Sequence, residues 1–344
     1  MGVLPMGQNV HSPLGASVRK IVLMSLSKLS RLCVALPAAL LAGCNTVLLH
    51  PAGAVASQQG HLIVVATVLM LLVIIPVMAL TALFAWRYRK SNTSATYLPD
   101  WDHSTQLELV IWAAPLLIII ALGAVTWIST HTLDPYRPLR RIDPAHAVTP
   151  DMKPITVEVV ALDWKWLFIY PEQGIATVNE LAAPVNVPIE FKITASSVMN
   201  SFFIPSLAGQ IYAMPGMETQ LHAVMNQVGA YDGFSANYSG AGFSDMRFKF
   251  HGLSAPDFAQ WVEEAKASGK TLDRARYLQL ERPSEREPVE RYANVSAGLY
   301  EGILDRSVQG AASSVTGTGT SVTGTVTRPL MGGNVVMKSG AEPR

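Results

Sequence analysis

The hydrophobic and polar positions of the chain fall into three regimes. From Leu62 to Trp86 no charged residue interrupts the apolar run, and Leu109 to Thr130 reads the same way. At about 1.5 Å per residue, each run is long enough to cross a hydrocarbon layer of roughly 30 Å. Pro76 and Pro115 lie inside these runs, where a membrane helix tolerates a kink. Trp86, Tyr88, Trp112 and Trp127 stand near the ends, as amphipathic rings do at an interface. The pattern predicts a transmembrane hairpin over 61–131, with spans at about 62–86 and 108–130, a loop at 87–106 and a linker at 132–153. From Pro154 the period shortens to two. Residues 155–160 and 187–193 alternate, 218–225 and 245–250 are further short runs, and Pro171, Gly174, Pro184, Pro205 and Gly209 punctuate them. Short strands with regular turn signals predict an all-β sandwich or barrel over 154–252. Ser254 then reads as a helix N-cap, with Phe258, Trp261, Val262 and Ala265 at helical spacing as a packing stripe. A further charged helical stretch is predicted to about Asp305, which makes 253–306 a helical C-terminal region. Residues 307–344 are rich in Ser, Thr, Gly and Val and read as a disordered tail.

Composition supports the membrane reading. Of 344 residues, 49% are hydrophobic and only 15% charged, below the quarter or so usual for soluble domains. A net charge of +1, with no basic patch interleaved with aromatics, argues against nucleic acid as a partner. The two cysteines, Cys33 and Cys44, both lie near the N-terminus, so the β-region has neither a disulfide framework nor a thiolate metal site. Arg19, Lys20, Lys28 and Arg31 precede an apolar stretch from Leu32 to Leu41, the order of a secretory signal over 1–43. The stretch ends in Leu41-Ala42-Gly43-Cys44, which resembles the bacterial lipoprotein box. That resemblance implies lipidation of Cys44, with 44–60 as the outer lead into the first span. The basic residues on either side of the spans are nearly tied: Arg87, Arg89 and Lys90 in the loop, and Arg137, Arg140 and Arg141 after the second span. Cys44 breaks the tie, placing both termini and the β-domain outside and the loop in the cytoplasm. Glu108, at the cytoplasmic start of the second span, has two readings. One is a carboxylate favoured by the helix N-terminus, worth under about 1 kcal/mol. The other is the entrance of a proton pathway.

Two stretches of the β-region carry the most information. Val198-Met-Asn-Ser-Phe-Phe-Ile-Pro205 and Gly233-Phe-Ser-Ala-Asn-Tyr-Ser-Gly-Ala-Gly-Phe-Ser-Asp-Met246 resemble the two ligand loops of cytochrome oxidase subunit II. In copper-binding members the first loop carries a histidine, and the second carries two cysteines four apart, a histidine and a methionine. In this chain Asn200 stands at the first histidine position, Ser235 and Ser239 at the cysteine positions, and Phe243 at the second histidine position; only Met246 remains. Asn237 replaces a glutamate associated with a nearby magnesium. A pair of bridged coppers needs soft thiolates completed by imidazoles, which serine, asparagine and phenylalanine cannot supply. Ligand spacing without ligands resembles the quinol-oxidising branch of the family. Asp163-Trp-Lys-Trp-Leu-Phe-Ile-Tyr-Pro-Glu-Gln-Gly174 and Gln210-Ile-Tyr-Ala-Met214 share that likeness, which covers residues 41 to about 305.

The resemblance implies a cupredoxin-like Greek-key sandwich behind the hairpin. It also implies a non-catalytic subunit of a proton-pumping ubiquinol oxidase in the bacterial inner membrane, which oxidises ubiquinol and reduces oxygen to water. Haems and copper would belong to subunit I, leaving no redox cofactor or metal in this chain and no docking of cytochrome c. Partners would be subunit I, smaller membrane subunits and the bilayer, with ubiquinol reached through the complex. In the family a glutamate at the position of Glu108 lies at the mouth of a proton channel, which favours its second reading. The aromatic run Trp164, Trp166, Phe168 and Tyr170 reads as core or as contact with subunit I. His222 and His251 lie at no paired ligand spacing. A lipoprotein scaffold or sensor with a metal-free cupredoxin domain is the competing reading, and it predicts purification without haem.

Overall fold

The computed structural model describes residues 47–96 and 98–305; the signal segment, Cys44 and the tail read from 307 lie outside them. Two long helices come first, α1 at Ala54–Arg87 and α2 at Thr105–Thr132, with 34 and 28 residues. Both are long and apolar enough to cross a membrane. Helix α1 starts well before Leu62. The absence of charge marks the lipid-facing length of a helix, whereas Ser57, Gln58 and Gln59 continue the same helix into a polar setting. Its first two turns belong to the β-domain, with Val55, Ala56 and Gly60 buried. There Ala52 and Gly53 N–H both donate to Ser206 O, at 3.0 and 2.8 Å, and Ala56 N–H donates to Leu207 O at 3.2 Å. These bonds satisfy donors that a helix start otherwise leaves unpaired. The approach is so close that a Cβ on Gly53 would stand 2.6 Å from Leu207 O.

The β-domain runs through β1 (Ile155–Leu162), β2 (Lys165–Tyr170), β3 (Ile175–Val178), β4 (Glu180–Pro184), β5 (Pro188–Ala195), β6 (Asn200–Phe203), β7 (Ile211–Ala213), β8 (Thr219–Val224), β9 (Gly229–Ser235) and β10 (Arg247–Leu253). Helix α3 (Ala255–Lys266), β11 (Thr271–Leu272), α4 (Arg274–Leu280), β12 (Glu290–Tyr292) and β13 (Asn294–Val295) follow. One sheet has the order β12-β3-β2-β1-β5-β8 and the other β4-β10-β9-β6-β7. The pairs β1/β5 and β4/β10 are parallel. The two sheets close on a core where Phe202 and Phe248 stack at 5.5 Å and Trp166 meets both edge-on. Full burial of each such ring contributes about 1.5–3 kcal/mol. The architecture is the cupredoxin-like sandwich expected from the sequence.

The stripe of α3 packs on this core, with Trp261 edge-on to Tyr170 at 5.5 Å. Ser254 caps the helix by accepting from Asp257 N–H at 3.3 Å. The helical stretch expected up to Asp305 is corrected: between α4 and the last helical turns at 299–305 the chain forms strands. Strand β12 extends the six-stranded sheet by pairing with β3, Tyr292 opposite Ala176. Leu272, Tyr277, Leu280, Tyr292, Leu299 and Ile303 cover that sheet's outer face. This cover leaves β2 and β3 buried on both faces, with no alternation to read.

Candidate functional site

Strands β6 and β9 pair with Phe202 opposite Ser235, which brings the two loops with the subunit II frame together at one end of the five-stranded sheet. Asn200 opens β6 and Ser235 closes β9, and both are buried. The Ser235 hydroxyl donates to Asn200 Oδ1 at 3.1 Å, with Asn237 O 3.3 Å away as a second acceptor. Asn200 Nδ2 donates to Val198 O at 3.1 Å, and Asn237 Nδ2 to Met199 O at 3.1 Å. The side chains of Asn200, Ser235 and Asn237 therefore bond to one another and to loop carbonyls. Met246 is fully buried in the sheet core, and Phe243 packs edge-on against Tyr238 at 5.7 Å. The Ser239 hydroxyl is buried without a hydrogen-bond partner among the described residues. A copper pair does not fit this donor set: two hydroxyls, an amide and a phenyl ring replace thiolates and imidazoles, and one thioether stays in the core. Among the described residues no cluster of three or more His, Cys, Asp or Glu could hold a metal ion.

Trp164 closes the second loop from above. Its Nε1 donates to Ser239 O at 2.9 Å, and its ring lies on the Gly240–Gly242 backbone. A Cβ at Gly242 would come within 2.6 Å of Trp164 Cε3, so the close approach requires glycine there. Trp166, Phe168 and Tyr170 alternate into the core, while Trp164, only partly buried, packs against its margin and reaches the loop. Lys165, between two tryptophans, is also buried. Its ammonium donates to Asp163 O, Arg282 O and Ser284 Oγ at 3.0, 2.9 and 2.6 Å. Burial holds its pKa below the usual lysine value, against the opposing pull of Glu287 and Asp163. The 282–287 segment is thereby strapped onto the start of β2, and Arg286 reaches back to Asp245 at 2.9 Å. Sequence reasoning missed this strap. Its one signal was a lysine inside an otherwise apolar strand.

Glu108 lies far from these loops, in the first turn of α2. His103 Nδ1 stands 2.8 Å from Glu108 Oε1, and both side chains are more than half or half exposed, at 63% and 50%. His103 Nε2 meets Thr105 Oγ1 at 3.1 Å. The pair is a solvent-exposed imidazole–carboxylate contact at the start of α2. The sequence singled out the carboxylate but not its imidazole partner five residues earlier.

A two-sheet cupredoxin-like domain carried on two apolar helices, with both ligand-loop frames in place, defines a subunit II of the haem–copper oxidase type. The family described as "Cytochrome C oxidase subunit II, periplasmic domain" matches residues 150–251, and "COX Aromatic Rich Motif" matches 266–311. Cytochrome bo(3) ubiquinol oxidase subunit 2 of Pseudomonas putida is 56% identical over 267 residues, covering 78% of this chain and 82% of the relative. Ubiquinol oxidase subunit 2 of Acetobacter aceti is 53% identical over 285 residues, covering 83% and 90%. Among solved structures, the periplasmic domain of subunit II of cytochrome oxidase of Bradyrhizobium japonicum aligns at 23% identity, with a TM-score of 0.33, over 35% of this chain and 99% of that one. The chain belongs to the ubiquinol oxidase subunit 2 family.

Proposed function

We propose that this chain is the copper-free subunit II of a proton-pumping terminal oxidase that takes electrons from ubiquinol and passes them to oxygen through haems and copper held by subunit I. The observation that carries the reading is the Ser235–Asn200 hydrogen bond, which ties two former ligand positions to each other where the copper form has metal donors. The names of the relatives support ubiquinol as the electron source of the complex. Without a copper centre a cytochrome c docked here would meet no acceptor, so the chain's own work is mechanical and protonic. The β-domain caps subunit I and the hairpin packs laterally against its helices. The N-terminus and β-domain lie on the outer face of the inner membrane, with Cys44 lipidated.

Glu108 and His103 then stand at the cytoplasmic surface as the entrance of a proton pathway into subunit I. The imidazole and carboxylate are both exposed and in contact, so the entrance is open to water. This arrangement supports the second reading of Glu108. The decisive experiment is purification of the full chain from its membrane with whatever accompanies it. The expected preparation contains a large haem-bearing subunit and oxidises ubiquinol; a haem-free preparation overturns the proposal and leaves the scaffold reading.

A further inference from the structure

Where the helix hairpin meets the β-domain, the fold encloses an open cavity of about 440 Å³. A single water needs only roughly 10–15 Å³ by the same measure. The cavity lies beside the start of α1 and the end of α2, at Val55, Gln58, Gln59 and Thr132. In a chain whose two apolar helices cross a membrane, this is the depth of the lipid headgroups. The linker leaving α2 supplies Arg137, Arg140 and Arg141 to its wall, and among the described residues the only carboxylate lining it is Asp134. Asp134 already accepts from Tyr136 N–H at 3.0 Å. Among the described residues none of the three guanidiniums pairs with a carboxylate. Arg137 donates to His131 O at 3.1 Å and Arg141 to Pro144 O at 2.8 Å. Each of these bonds uses one of five N–H groups, fixing the side chain while leaving donors for another acceptor.

The rest of the lining has the matching chemistry. Gln59 is seated against Gly209, where a Cβ would stand 2.7 Å from its Nε2, and Gln210 lies alongside. Leu133, Leu139 and Leu221 line the cavity on its β-domain side, where they belong to or pack against the domain core. The linker is itself fixed: His222 N–H donates to Pro135 O at 3.1 Å and Asn226 Nδ2 to Ile142 O at 3.0 Å. The arginines therefore project from a braced segment.

We propose that this cavity binds the headgroup of an anionic phospholipid, with Arg137, Arg140 and Arg141 taking the phosphodiester oxygens, the glutamine amides taking headgroup hydroxyls and the leucines taking the first acyl carbons. Three guanidiniums against one carboxylate select an anion, and guanidinium forks match phosphate oxygens in pairs. The leucines select a lipid over free phosphate.

The test uses the full chain purified in detergent with its accompanying subunits, stripped of lipid and titrated with phosphatidylglycerol under native mass spectrometry. One phosphatidylglycerol should bind, and 10-fold more inorganic phosphate should not displace it. The triple substitution Arg137→Gln, Arg140→Gln, Arg141→Gln should weaken binding about a hundredfold, each arginine near the headgroups giving close to a fivefold factor. The corresponding triple Lys variant should recover part of the affinity, because it restores charge without the paired donors, which separates lost charge from lost folding. Unchanged lipid binding in the Gln variant, equal displacement by phosphate, or failure of the Lys variant to recover affinity despite unchanged far-UV circular dichroism would each overturn the assignment.

Discussion

The hydrogen bond between Ser235 and Asn200 allows a quantitative test of whether the ligand frame is now a structural cluster. Asn200→Ala removes the acceptor of the Ser235 hydroxyl and the donor to Val198 O, two neutral bonds at 3.1 Å each. At about 1 kcal/mol per bond, the loss is about 2 kcal/mol. Ser235→Ala breaks the shared bond from the other side and leaves the buried Asn200 Oδ1 without its hydroxyl donor, for about 1–2 kcal/mol. The shared bond can be lost only once, so the double variant should fall short of the sum by about 1 kcal/mol. Thermal unfolding of the full chain in detergent, followed by near-UV circular dichroism, reads these numbers. For a domain of this size about 2 kcal/mol lowers the midpoint by about 4–8 °C. Strict additivity, within about 0.3 kcal/mol, would mean the two side chains do not support each other and would refute the reasoning.

Other outcomes follow from the same structure. Burial and the nearby Glu301 push the pKa of Glu158 up to about 7, Glu218 adds in the same sense and Lys192 opposes. The folded state therefore holds a proton that the unfolded chain releases near 4.5, so this group's contribution is fully present below that pH and is lost as pH rises through about 7. Glu158→Gln should flatten the decline of the unfolding midpoint between pH 5 and 8; an unchanged slope counts against the assignment. Gly242→Val should cost about 1–3 kcal/mol by displacing Trp164, and much less in a Trp164→Ala background. If the penalty is the same in both backgrounds, the ring is not what glycine accommodates. Glu108→Gln should slow proton uptake and turnover of the assembled oxidase severalfold while leaving haem content unchanged; full turnover and pumping in that variant would remove Glu108 from the pathway.

The parts of the fold legible in the sequence were those where one physical factor dominated. Charge-free runs disclosed both long apolar helices, each long enough to cross a membrane. The alternation in β1 and β5 was readable because Glu158, Glu190 and Lys192 remain only partly buried on one face. Strands β3 and β4 were silent: all nine of their residues are buried, since the C-terminal region and α3 cover faces that a simple sandwich would leave wet. The partnership of β12 with β3 is non-local and leaves no periodic trace. At the candidate site, positions 200, 235, 239, 243 and 246 were legible through spacing. The Trp164 lid and the Lys165 strap were not, because they depend on residues 75 and 117 positions away.

Strand β3 ends at Val178, and its edge partner β12 begins at Glu290. At ribosomal speed these segments are made roughly 5–20 s apart. During that interval the nascent domain exposes an unpaired strand edge and the greasy back of β1 and β2. A message truncated after α3 would release a protein in that state permanently, so quality-control proteases should clear such fragments even though every residue of the ligand loops is present. The described residues after α3 act as the closing seam of the domain, and its survival in the cell depends on their arrival.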